Sequence, residues 1–335
     1  MCQEGESLPL YSWRCFVGAV LGIDVGKANF HCALLIDGQS RSNSFSNSLT
    51  GFGKLLGWLR NRDVAHVHAC LESTGGWSEE LAKFLHEHGH DVSVVNPAAV
   101  KAFGQSELSR TKTDKADAAL IARYCHAMAP RLWTPPSPSQ QRLQRLSRRR
   151  VALDDMRVQE NNRLQGPGIE DVRSSIEATI AFLSRQIAEI DAEIAALIDG
   201  DSSLRGKREL LKSIPGIGER VATTILGELP QITEFRNGKA LAAFIGLCPR
   251  EYRSGTSIGA SWLSKIGNGH VRRVLYMPAI TAMRCNPVLS AFAGRLRANG
   301  KRPKQIIAAV MRRLIVIAYG VLKSAKPFYA RGSRC

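Results

Sequence analysis

The stretch FVGAVLGIDVGKANFHCALLIDG, residues 16–38, carries the pattern that decides the fold of this chain. Two apolar runs, FVGAVLGIDV and NFHCALLIDG, are separated by a short turn and predict two hairpin strands. Two later apolar runs, HVHACLES and HDVSVVNP, alternate with the helix-like stretches GFGKLLGWLRN and GWSEELAKFLHEHG. Hairpin strands followed by β-α-β units indicate a mixed α/β sheet with helices on its faces.

The charge of the chain indicates the chemistry of its partner. Its 335 residues are enough for two or three domains with at least one hydrophobic core. Forty-six Lys and Arg against twenty-nine Asp and Glu give a net charge of +17, with a pI near 9.9. A basic surface gains affinity for nucleic acid because its cations release counterions from the phosphates. Nucleic acid is therefore the favoured partner.

The cysteine pattern and the apolar runs bear on the cellular compartment. Eight cysteines are scattered without a CxxC pair or a Cys/His cluster at zinc spacing, which is typical of reduced thiols in a cytosolic protein. No signal-peptide pattern is found, and no apolar run reaches the roughly 20 residues of a membrane span. We therefore predict a cytoplasmic protein without a membrane partner.

Composition and periodicity divide the chain into four segments. The run TPPSPS at 134–139 is a linker by composition. The predicted segments are a flexible tail at 1–17, an α/β domain at 18–134, a linker with a coiled coil or helical hairpin at 135–204, and a mostly α-helical domain at 205–335.

The third segment contains a regular apolar seam. A first helix with seven arginines between 142 and 163 is broken by GPG at 166–168. The following helix repeats apolar residues at spacings of four and three, namely Ile176, Ile180, Leu183, Ile187, Ile190, Ile194 and Leu197. This spacing predicts a left-handed helical pairing, either with the preceding helix as a hairpin or with a second subunit. Packing on the helix's own domain is the third alternative.

Two aspartates begin the helix-like stretch TKTDKADAALIARY, residues 111–124. Asp114 fits the N-cap position, and Asp117 then falls in the first turn, where a carboxylate suits the helix dipole. The same spacing also sets both carboxylates on one helix face as a pair of hard oxygen ligands. Taken alone, the stretch is either a helix start signal or half of a metal site.

Two further acids at strand ends favour the metal site. Asp24 lies near the end of the first strand, and Glu72 lies near the end of a later one. With Asp114 and Asp117 they make the kind of carboxylate set that a pair of Mg²⁺ ions needs to activate a nucleophile and to stabilise a leaving oxygen. The residues alone therefore indicate a metal-dependent nucleic-acid enzyme.

A second motif, LLKSIPGIGERVATTILGEL at 210–229, predicts a helix-hairpin-helix. Gly216 and Gly218 would let the backbone approach a phosphate, and the N-terminus of the second helix offers unpaired N–H groups to it. The alternative is a simple turn between two packed helices.

A third motif surrounds Ser254, within the stretch 244–277. A serine flanked by arginines can bind phosphate, or attack it when a base or metal removes its proton. The alternative is that this serine has only a structural role in a loop, and the sequence identifies no base.

The residues predicted to contact nucleic acid are Lys27, Lys112, Lys115, Arg145, Arg148, Arg149, Gly216, Gly218, Arg250, Arg253, Lys265, Arg272 and Arg273.

Taken together, these stretches resemble the DEDD transposases of bacterial insertion sequences, a family of bridge-RNA-guided recombinases. The resemblance covers about residues 18–325. It rests on the order and spacing of GIDVGKANFHCALL, LESTGGW, NPAAVKAFGQSELSRTKTDKADAALIARY, IPGIGERVATTILGEL and AAFIGLCPREYRSGTSIGASWLSKIGNGHVRRVLYMPA.

The resemblance implies a fold, a cofactor and catalytic residues. The N-terminal domain of that family is RuvC-like, an RNase H-type fold whose four acids bind Mg²⁺. The matching positions here are Asp24, Glu72, Asp114 and Asp117. The C-terminal transposase domain contributes a serine that links covalently to the DNA backbone. By its place in the RSG motif this is Ser254, with Ser257 and Ser264 as nearby candidates.

The resemblance also implies partners. Family members bind a structured non-coding RNA whose loops pair with donor and target DNA, so that the protein needs mainly backbone contacts. The helical region between the domains resembles the family's coiled coil, which implies a homodimer or homotetramer. The expected setting is the bacterial cytoplasm, at the nucleoid during the reaction. The implied chemistry is strand exchange through a phosphoserine, with an active site shared between subunits as a further hypothesis.

Three alternatives remain at this point. A RuvC-like structure-selective endonuclease would hydrolyse junctions with water and would not need Ser254. An actin-like sugar kinase would use GIDVGK as a phosphate-facing hairpin, but the chain has no second Gly-rich hairpin of this kind and is strongly basic. A non-catalytic DNA-binding protein would use the acids only as helix caps.

Overall fold

The structure is a computed structural model that describes residues 18–73, 76–108, 113–250, 253–254, 257–258 and 262–329. For the short strands within 253–262 it describes the backbone alone. The predicted tail at 1–17 and Lys112 lie outside the described residues. The chain divides into two compact units between Pro135 and Pro136. The further predicted boundary at residue 204 stays a prediction.

The N-terminal unit is a sheet with helices on its faces. Its strands are β1 (Val20–Val25), β2 (Asn29–Ile36), β3 (Gln39–Ser46), β4 (His68–Glu72) and β5 (Asp91–Val95). Its helices are α1 (Leu49–Arg60), α2 (Gly76–Glu87), α3 (Pro97–Ser106) and α4 (Asp114–Met128).

The sheet has the strand order β3-β2-β1-β4-β5. The first three strands pair antiparallel, whereas β1, β4 and β5 pair parallel. The predicted mixed α/β sheet is therefore confirmed. Strand β3 was not predicted, because its sequence QSRSNSFS is polar and mostly exposed. It is held by a full register against β2, from Asn29 opposite Ser46 to Ile36 opposite Gln39.

Residues of β1 alternate between two cores, one on each face of the sheet. Leu21 and Ile23 pack in the core that also contains side chains of α1 and α2. Val20 packs in the other core, together with Ala118 and Ile121 of α4. Since side chains alternate along a strand, Asp24 belongs to the face that α4 covers. The alternation thereby directs one acid of the predicted site toward the helix that carries two others.

A nearly buried histidine makes the N-terminal unit sensitive to acid. His90 precedes β5 and is 6% exposed, and its Nδ1 has no hydrogen-bond partner in the described part of the chain. Burial lowers the pKa of His90, and the neighbouring His66 and His88 lower it further. The unfolded chain therefore takes up a proton below about pH 6.5 that the folded unit resists. We therefore expect the contribution of His90 to stability to be present above that pH and to be lost as the pH falls from it toward the lowered pKa of the folded state.

We expect His90→Phe to reduce the acid sensitivity of the protein. The variant has no buried imidazole to protonate, so its free energy of unfolding should fall less between about pH 7.5 and about pH 5 than that of the parent. Urea titrations at both pH values measure this difference. His126→Phe, which changes an exposed histidine at the end of α4, is the control. Equal acid sensitivity of parent and His90→Phe would contradict the assignment.

The C-terminal unit is mostly helical, as the sequence predicted. Its helices are α5 (Pro138–Leu164), α6 (Arg173–Asp199), α7 (Ser202–Lys212), α8 (Glu219–Glu228), α9 (Gly238–Phe244), α10 (Gly269–Val274), α11 (Tyr276–Cys285), α12 (Pro287–Ala298) and α13 (Pro303–Ser324). Two pairs of two-residue strands interrupt them: β6 (Pro249–Arg250) with β9 (Trp262–Leu263), and β7 (Arg253–Ser254) with β8 (Ser257–Ile258).

Helices α5 and α6 form a hairpin within this unit. Both are 27 residues long, and the chain turns between them at a glycine with positive φ, Gly168. Leu183 and Ile187 of the predicted seam pack with Leu153 of α5 in one small core. The helix that carries the seam thus pairs with the preceding helix, one of the alternatives left open by the sequence. Supercoiling and self-association through the hairpin stay predictions.

Helix α13 is apolar enough, by length and composition, to cross a membrane, with a mean hydropathy of 1.7. The sequence was predicted to contain no run of this kind, so that prediction is wrong for this helix. Half of the helix is buried inside the unit, where Val310, Leu314 and Ile315 belong to the main core with side chains from α7, α9, α11 and α12. The arrangement is that of a central core helix.

Candidate functional site

Four carboxylates lie near one another where two inner strands of the N-terminal sheet end. Asp24 lies on β1, and Glu72 is the last residue of the neighbouring parallel strand β4. The register pairs Gly22 with Cys70 and Ile23 with Leu71, so the next step brings Asp24 alongside Glu72. Asp114 and Asp117 are in the first turn of α4, which packs on both strands. The structure therefore brings together all four acids singled out in the sequence.

Gly22 explains how closely α4 approaches β1. A Cβ at this position would lie 2.2 Å from the carbonyl oxygen of Ala118 and 2.2 Å from the amide nitrogen of Ala122. Both neighbours are backbone atoms in the middle of a helix, so neither can move away as a flexible side chain would. The absence of a side chain at Gly22, two residues before Asp24, lets the helix lie directly on the strand.

The cap of α4 differs from the prediction. Thr113, and not Asp114, is the N-cap, and its Oγ1 accepts a hydrogen bond from the amide of Ala116 at 3.2 Å. Asp114 is the first helical residue, and the amide of Asp117 donates to the carbonyl of Thr113. Because the threonine satisfies the first-turn donor, neither aspartate has to serve as the cap. Neither carboxylate is therefore needed to cap the helix.

Burial and the charges of neighbouring acids both raise the pKa of two of these carboxyl groups. Burial raises the pKa of Asp24, and the charges of Asp117 and Asp114 raise it further, while His31 lowers it. The pKa of Glu72 is also raised, by burial and then by Asp24 and Asp117. A nearby cation would stabilise the charged form of such half-buried carboxylates. This is the electrostatic environment in which a divalent cation would bind.

A histidine and an asparagine that the sequence analysis missed stand beside the acids. A cleft of about 270 Å³ is lined by Asp24, Val25, Gly26, Asn29, His31 and Asp114. His31 lies opposite Asp24 in the β1–β2 register, and its Nε2 is 3.3 Å from the Asp114 carboxylate. His31 could have been predicted from the sequence, because antiparallel pairing in the hairpin places a residue of β2 next to each residue of β1.

The donor set fits a hard divalent cation. Carboxylate oxygens are the ligands preferred by Mg²⁺ and Ca²⁺, and two strand acids with two helix acids provide several of them. Within the described ranges, no three His, Cys, Asp or Glu side chains already stand in metal-binding geometry. The fit therefore rests on the chemistry and charge of the acids, not on a preformed cage.

Lysines flank the acids. Lys27 lies in the turn after β1, and its ammonium group is 5.7 Å from the centre of the Trp77 ring. Lys115 is exposed in the first turn of α4. Their predicted contacts with nucleic acid stay predictions.

The predicted helix-hairpin-helix region of the second unit consists of α7, a short loop and α8. Gly216 has a φ of +102°, and a Cβ there would lie 2.6 Å from the Cβ of Ala282 on α11. Gly218 is the N-cap of α8 without a side-chain hydrogen bond, and a Cβ there would meet open space. Gly216 thus has a packing role, whereas Gly218 leaves a helix N-terminus open. Phosphate binding by this turn stays a prediction.

At least three of the arginines predicted to contact nucleic acid have partners inside the protein. Arg148 makes a two-pronged ion pair with Glu228, at 2.6 and 3.0 Å. Arg273 pairs with Asp155 of α5, and Arg272 donates to the carbonyl of Ile245 at 3.0 Å. These bonds give each side chain a structural role that the sequence did not reveal. Arg145, Arg149 and Lys265 are exposed.

Glu228 is the buried centre of one such network. Its side chain is 1% exposed, and it also accepts a hydrogen bond from Asn268, the N-cap of α10, at 2.9 Å. The bonds from Arg148 and Asn268 hold the pKa of Glu228 below its ordinary value against the opposing effect of burial. The pair thereby joins α5 to α8 and to the start of α10.

We expect Arg148→Ala to destabilise the protein by on the order of 2 kcal/mol, because it leaves a buried carboxylate without its main partner. Arg149→Ala, one position along and exposed, should leave stability unchanged and weaken DNA binding, with a smaller salt dependence. Thermal unfolding and DNA titrations at several salt concentrations measure both effects. If Arg148→Ala is as stable as the parent, the ion pair has no structural role.

The predicted serine lies on a short hairpin of the second unit. Ser254 ends β7, and its backbone pairs with Ser257 of β8. Ser264 follows β9, and its amide donates to the carbonyl of Cys248 at 3.0 Å. Arg250 ends β6, and the backbone of Arg253 lies in β7. The assignment of Ser254 as the nucleophile stays a prediction.

Comparison with known proteins defines the class to which this fold and site belong. A family model of DEDD transposases of the IS110 type matches residues 21–166, and a model of the IS116/IS110/IS902 transposase family matches residues 208–293. Together the two matches cover well over half of the chain. The protein is thus a DNA transposase or recombinase. It belongs to the IS110 family of transposases.

Individual relatives agree with this assignment. The pilin gene-inverting protein of Moraxella bovis is 34% identical over 315 residues, which are 93% of this chain and 98% of that protein. The transposase for insertion sequence element IS1328 of Yersinia enterocolitica is 24% identical over 286 residues, which are 76% of this chain and 81% of that protein.

One solved structure shows a faint resemblance. T. thermophilus RuvC in complex with a Holliday junction substrate aligns with 35% of this chain and 99% of its own, with 15% identity and a TM-score of 0.27. A structural similarity this low does not indicate a shared fold or a shared reaction.

Proposed function

We propose that the protein catalyses divalent-metal-dependent strand cleavage and exchange of DNA through a covalent phosphoserine at Ser254. The observation that carries the proposal is the proximity of Asp24, Glu72, Asp114 and Asp117 at the ends of two inner strands, with the pKa values of Asp24 and Glu72 raised by burial and by neighbouring acids. We further propose that the sheet is RuvC-like, of the RNase H type. Its strand order and its antiparallel β1-β2-β3 hairpins support this.

The four acids would hold Mg²⁺, in a two-metal site. When bound, such ions activate a nucleophile and stabilise the charge on a leaving oxygen. The protein's own contribution is to fix the acids on two adjacent strands and on a helix that Gly22 allows to lie against them. Lys27 and Lys115 add positive charge for the backbone of the bound strand.

In the proposed reaction, the Oγ of Ser254 attacks the phosphorus of the scissile phosphodiester. A P–O bond to Oγ forms, the P–O3′ bond breaks, the serine proton is lost to a base, and the leaving 3′ oxygen gains a proton. The 3′-hydroxyl of the exchanged strand later attacks the phosphoserine and releases Oγ, which regains a proton. Each step exchanges one phosphoester bond for another, so that rejoining requires no external energy source.

Three partners complete the proposal. Donor and target DNA are the substrates, and a structured non-coding RNA selects them by base pairing, which suits a chain with a net charge of +17. Self-association through the α5–α6 hairpin would assemble two or four copies, with an active site shared between subunits. The reaction would take place at the nucleoid in the cytoplasm.

Since a relative that aligns with almost the whole chain is named for gene inversion, we include DNA inversion among the proposed outcomes of the reaction.

The experiment that tests the catalytic assignment compares three serine variants. Ser254→Ala should abolish strand exchange, whereas Ser257→Ala and Ser264→Ala should retain it. The assay is exchange between a donor and a target DNA in the presence of Mg²⁺ and of the RNA that copurifies with the protein. Full cleavage by Ser254→Ala would instead indicate a structure-selective endonuclease that uses water. Absence of copurifying RNA from noncoding sequence beside the gene would contradict guidance by RNA.

A further inference from the structure

An exposed tryptophan is connected through Asn47 to the turn that follows Asp24, and it has no role in the reaction described so far. Trp77 is the second residue of α2, and 51% of its surface is exposed. The helix it begins follows β4, which ends at Glu72. A large aromatic ring in water is costly, because its apolar surface is the kind that folding and binding remove from solvent.

Hydrogen bonds tie this tryptophan to the wall of the cleft. The Nδ2 of Asn47 donates to the carbonyl of Trp77 at 3.2 Å and to the carbonyl of Gly26 at 3.0 Å. Gly26 lines the cleft together with Asp24 and Asp114. One side chain thus fixes the start of α2 to the turn that follows the first catalytic acid.

The same turn supplies a positive charge next to the ring. The ammonium group of Lys27 lies 5.7 Å from the centre of the Trp77 ring, within the range of a cation–π interaction. Lys27 follows Asp24 by three residues and is exposed. A cation beside an exposed aromatic face is the combination that binds a nucleotide of a single strand, the cation for its phosphate and the ring for its base.

We propose that Trp77 stacks on an unpaired DNA base within one or two nucleotides of the phosphodiester at the four acids. Lys27 contacts the phosphate of the same nucleotide. This inference rests on the proposed function, since it takes the acids to hold the scissile phosphate. Trp77 is then a substrate-positioning residue that fixes the strand on one side of the cleavage site.

The base must be unpaired because a base within a duplex is covered by its neighbours on both faces. Stacking on an aromatic ring is available only to a base at an end, a gap or a splayed junction. Every base has a π face, so the contact does not read sequence. It would therefore hold the strand in place while sequence is selected elsewhere.

The chain offers a matched control for this surface. Phe182 on α6 is 50% exposed, and the guanidinium of Arg185 is 5.5 Å from the centre of its ring. Its exposure and its neighbouring cation match those of Trp77, but it lies in the other unit, far in sequence from the acids. A general affinity of exposed aromatic rings for DNA would act at both positions.

The test is photo-crosslinking of the full-length protein to single-stranded DNA that carries 5-iododeoxyuridine. Under long-wavelength light this base bonds to the aromatic side chain on which it stacks, and mass spectrometry locates the bond. Duplex DNA and RNA of the same sequence are the comparison probes. We expect adducts at Trp77 with single-stranded DNA, and few with the duplex.

Substitutions make the result quantitative. Trp77→Ala and Trp77→Leu should lower the affinity for single-stranded DNA and the yield of adduct in α2 by about ten-fold, as expected for one lost stacking contact. Trp77→Phe, which keeps an aromatic face, should retain most of the affinity, and Phe182→Ala should leave the α2 adduct unchanged. The proposal would be overturned if Trp77→Leu retained its affinity for single-stranded DNA, or if adducts formed at Phe182 instead of Trp77. Equal yields of adduct with duplex DNA, or adducts with RNA alone, would also overturn it.

Cleavage by the unmodified protein separates this inference from the function on which it rests. If the parent performs metal-dependent strand exchange and Trp77→Ala does so equally well, only the role of Trp77 is wrong. If the parent shows no metal-dependent cleavage of DNA, the proposed function fails, and the inference fails with it.

Discussion

Replacing Asp24 with asparagine is expected to abolish strand cleavage and to raise the stability of the metal-free protein. Burial and the charges of Asp117 and Asp114 raise the folded-state pKa of Asp24 above its unfolded value. A carboxyl group of this kind contributes its stability below the unfolded pKa and loses it as the pH rises through the folded pKa. At neutral pH the ionised group therefore opposes folding, whereas asparagine keeps the shape without the charge.

The loss of activity should be large. A metal ligand contributes several kcal/mol to the stabilisation of a phosphoryl-transfer transition state, which corresponds to a rate lower by about a thousand-fold or more. Cleavage rates and melting temperatures without metal measure the two effects on one preparation. Asp37→Asn, at the exposed β2–β3 turn, is the charge-matched control and should change neither. An Asp24→Asn variant that is active, or that melts lower than the parent without metal, would contradict this account.

The second large effect is expected at Gly22, which carries no functional group. Gly22→Ala would place a methyl group 2.2 Å from backbone atoms of Ala118 and Ala122, so that α4 must move away from β1. Asp114 and Asp117 begin this helix and would move with it, away from Asp24. We expect cleavage to fall by about a hundred-fold or more, since misplacement by about 1 Å is enough for such a loss. The divalent-cation concentration needed for half-maximal activity should also rise.

Gly51→Ala separates positioning from stability. A Cβ at Gly51 would lie 1.9 Å from the carbonyl oxygen of Ser46, so the overcrowding is at least as severe, but it falls between α1 and the end of β3. Both variants should lose about 1–3 kcal/mol of stability, the usual cost of overpacking. Only Gly22→Ala should change the cation dependence among molecules that remain folded. The same cation dependence in both variants would show that Gly22 matters for stability alone.

The sequence predicted the sheet where its strands are apolar and failed where a strand is polar. Strands β1, β2, β4 and β5 are apolar runs, whereas β3 has only polar residues and one phenylalanine, and its place is set by pairing with β2. The helix start was found one residue late, because Thr113 and Asp114 are both good caps and only the structure shows which one accepts the hydrogen bond.

The acids of the candidate site could be predicted from the sequence, whereas most of the residues around them could not. The four carboxylates stand at element ends that local patterns reveal. The partner of Arg148 could not be deduced, because Glu228 lies 80 residues further along and meets it only through packing of α5 on α8. The position of His31 beside Asp24 could have been predicted from the pairing of β1 with β2. The position of Trp77 could not, because it depends on the hydrogen bonds that Asn47 makes to the carbonyl groups of Gly26 and Trp77.

The most direct test of the central claim is to look for a protein–DNA bond. DNA incubated with the full-length protein, its copurifying RNA and Mg²⁺ would be quenched in denaturant, separated by electrophoresis, and the modified peptide identified by mass spectrometry. We expect a covalent adduct at Ser254 that is absent when the metal is chelated and absent in Asp24→Asn. Metal-dependent cleavage without an adduct, or an adduct at another residue, would contradict phosphodiester transfer through this serine.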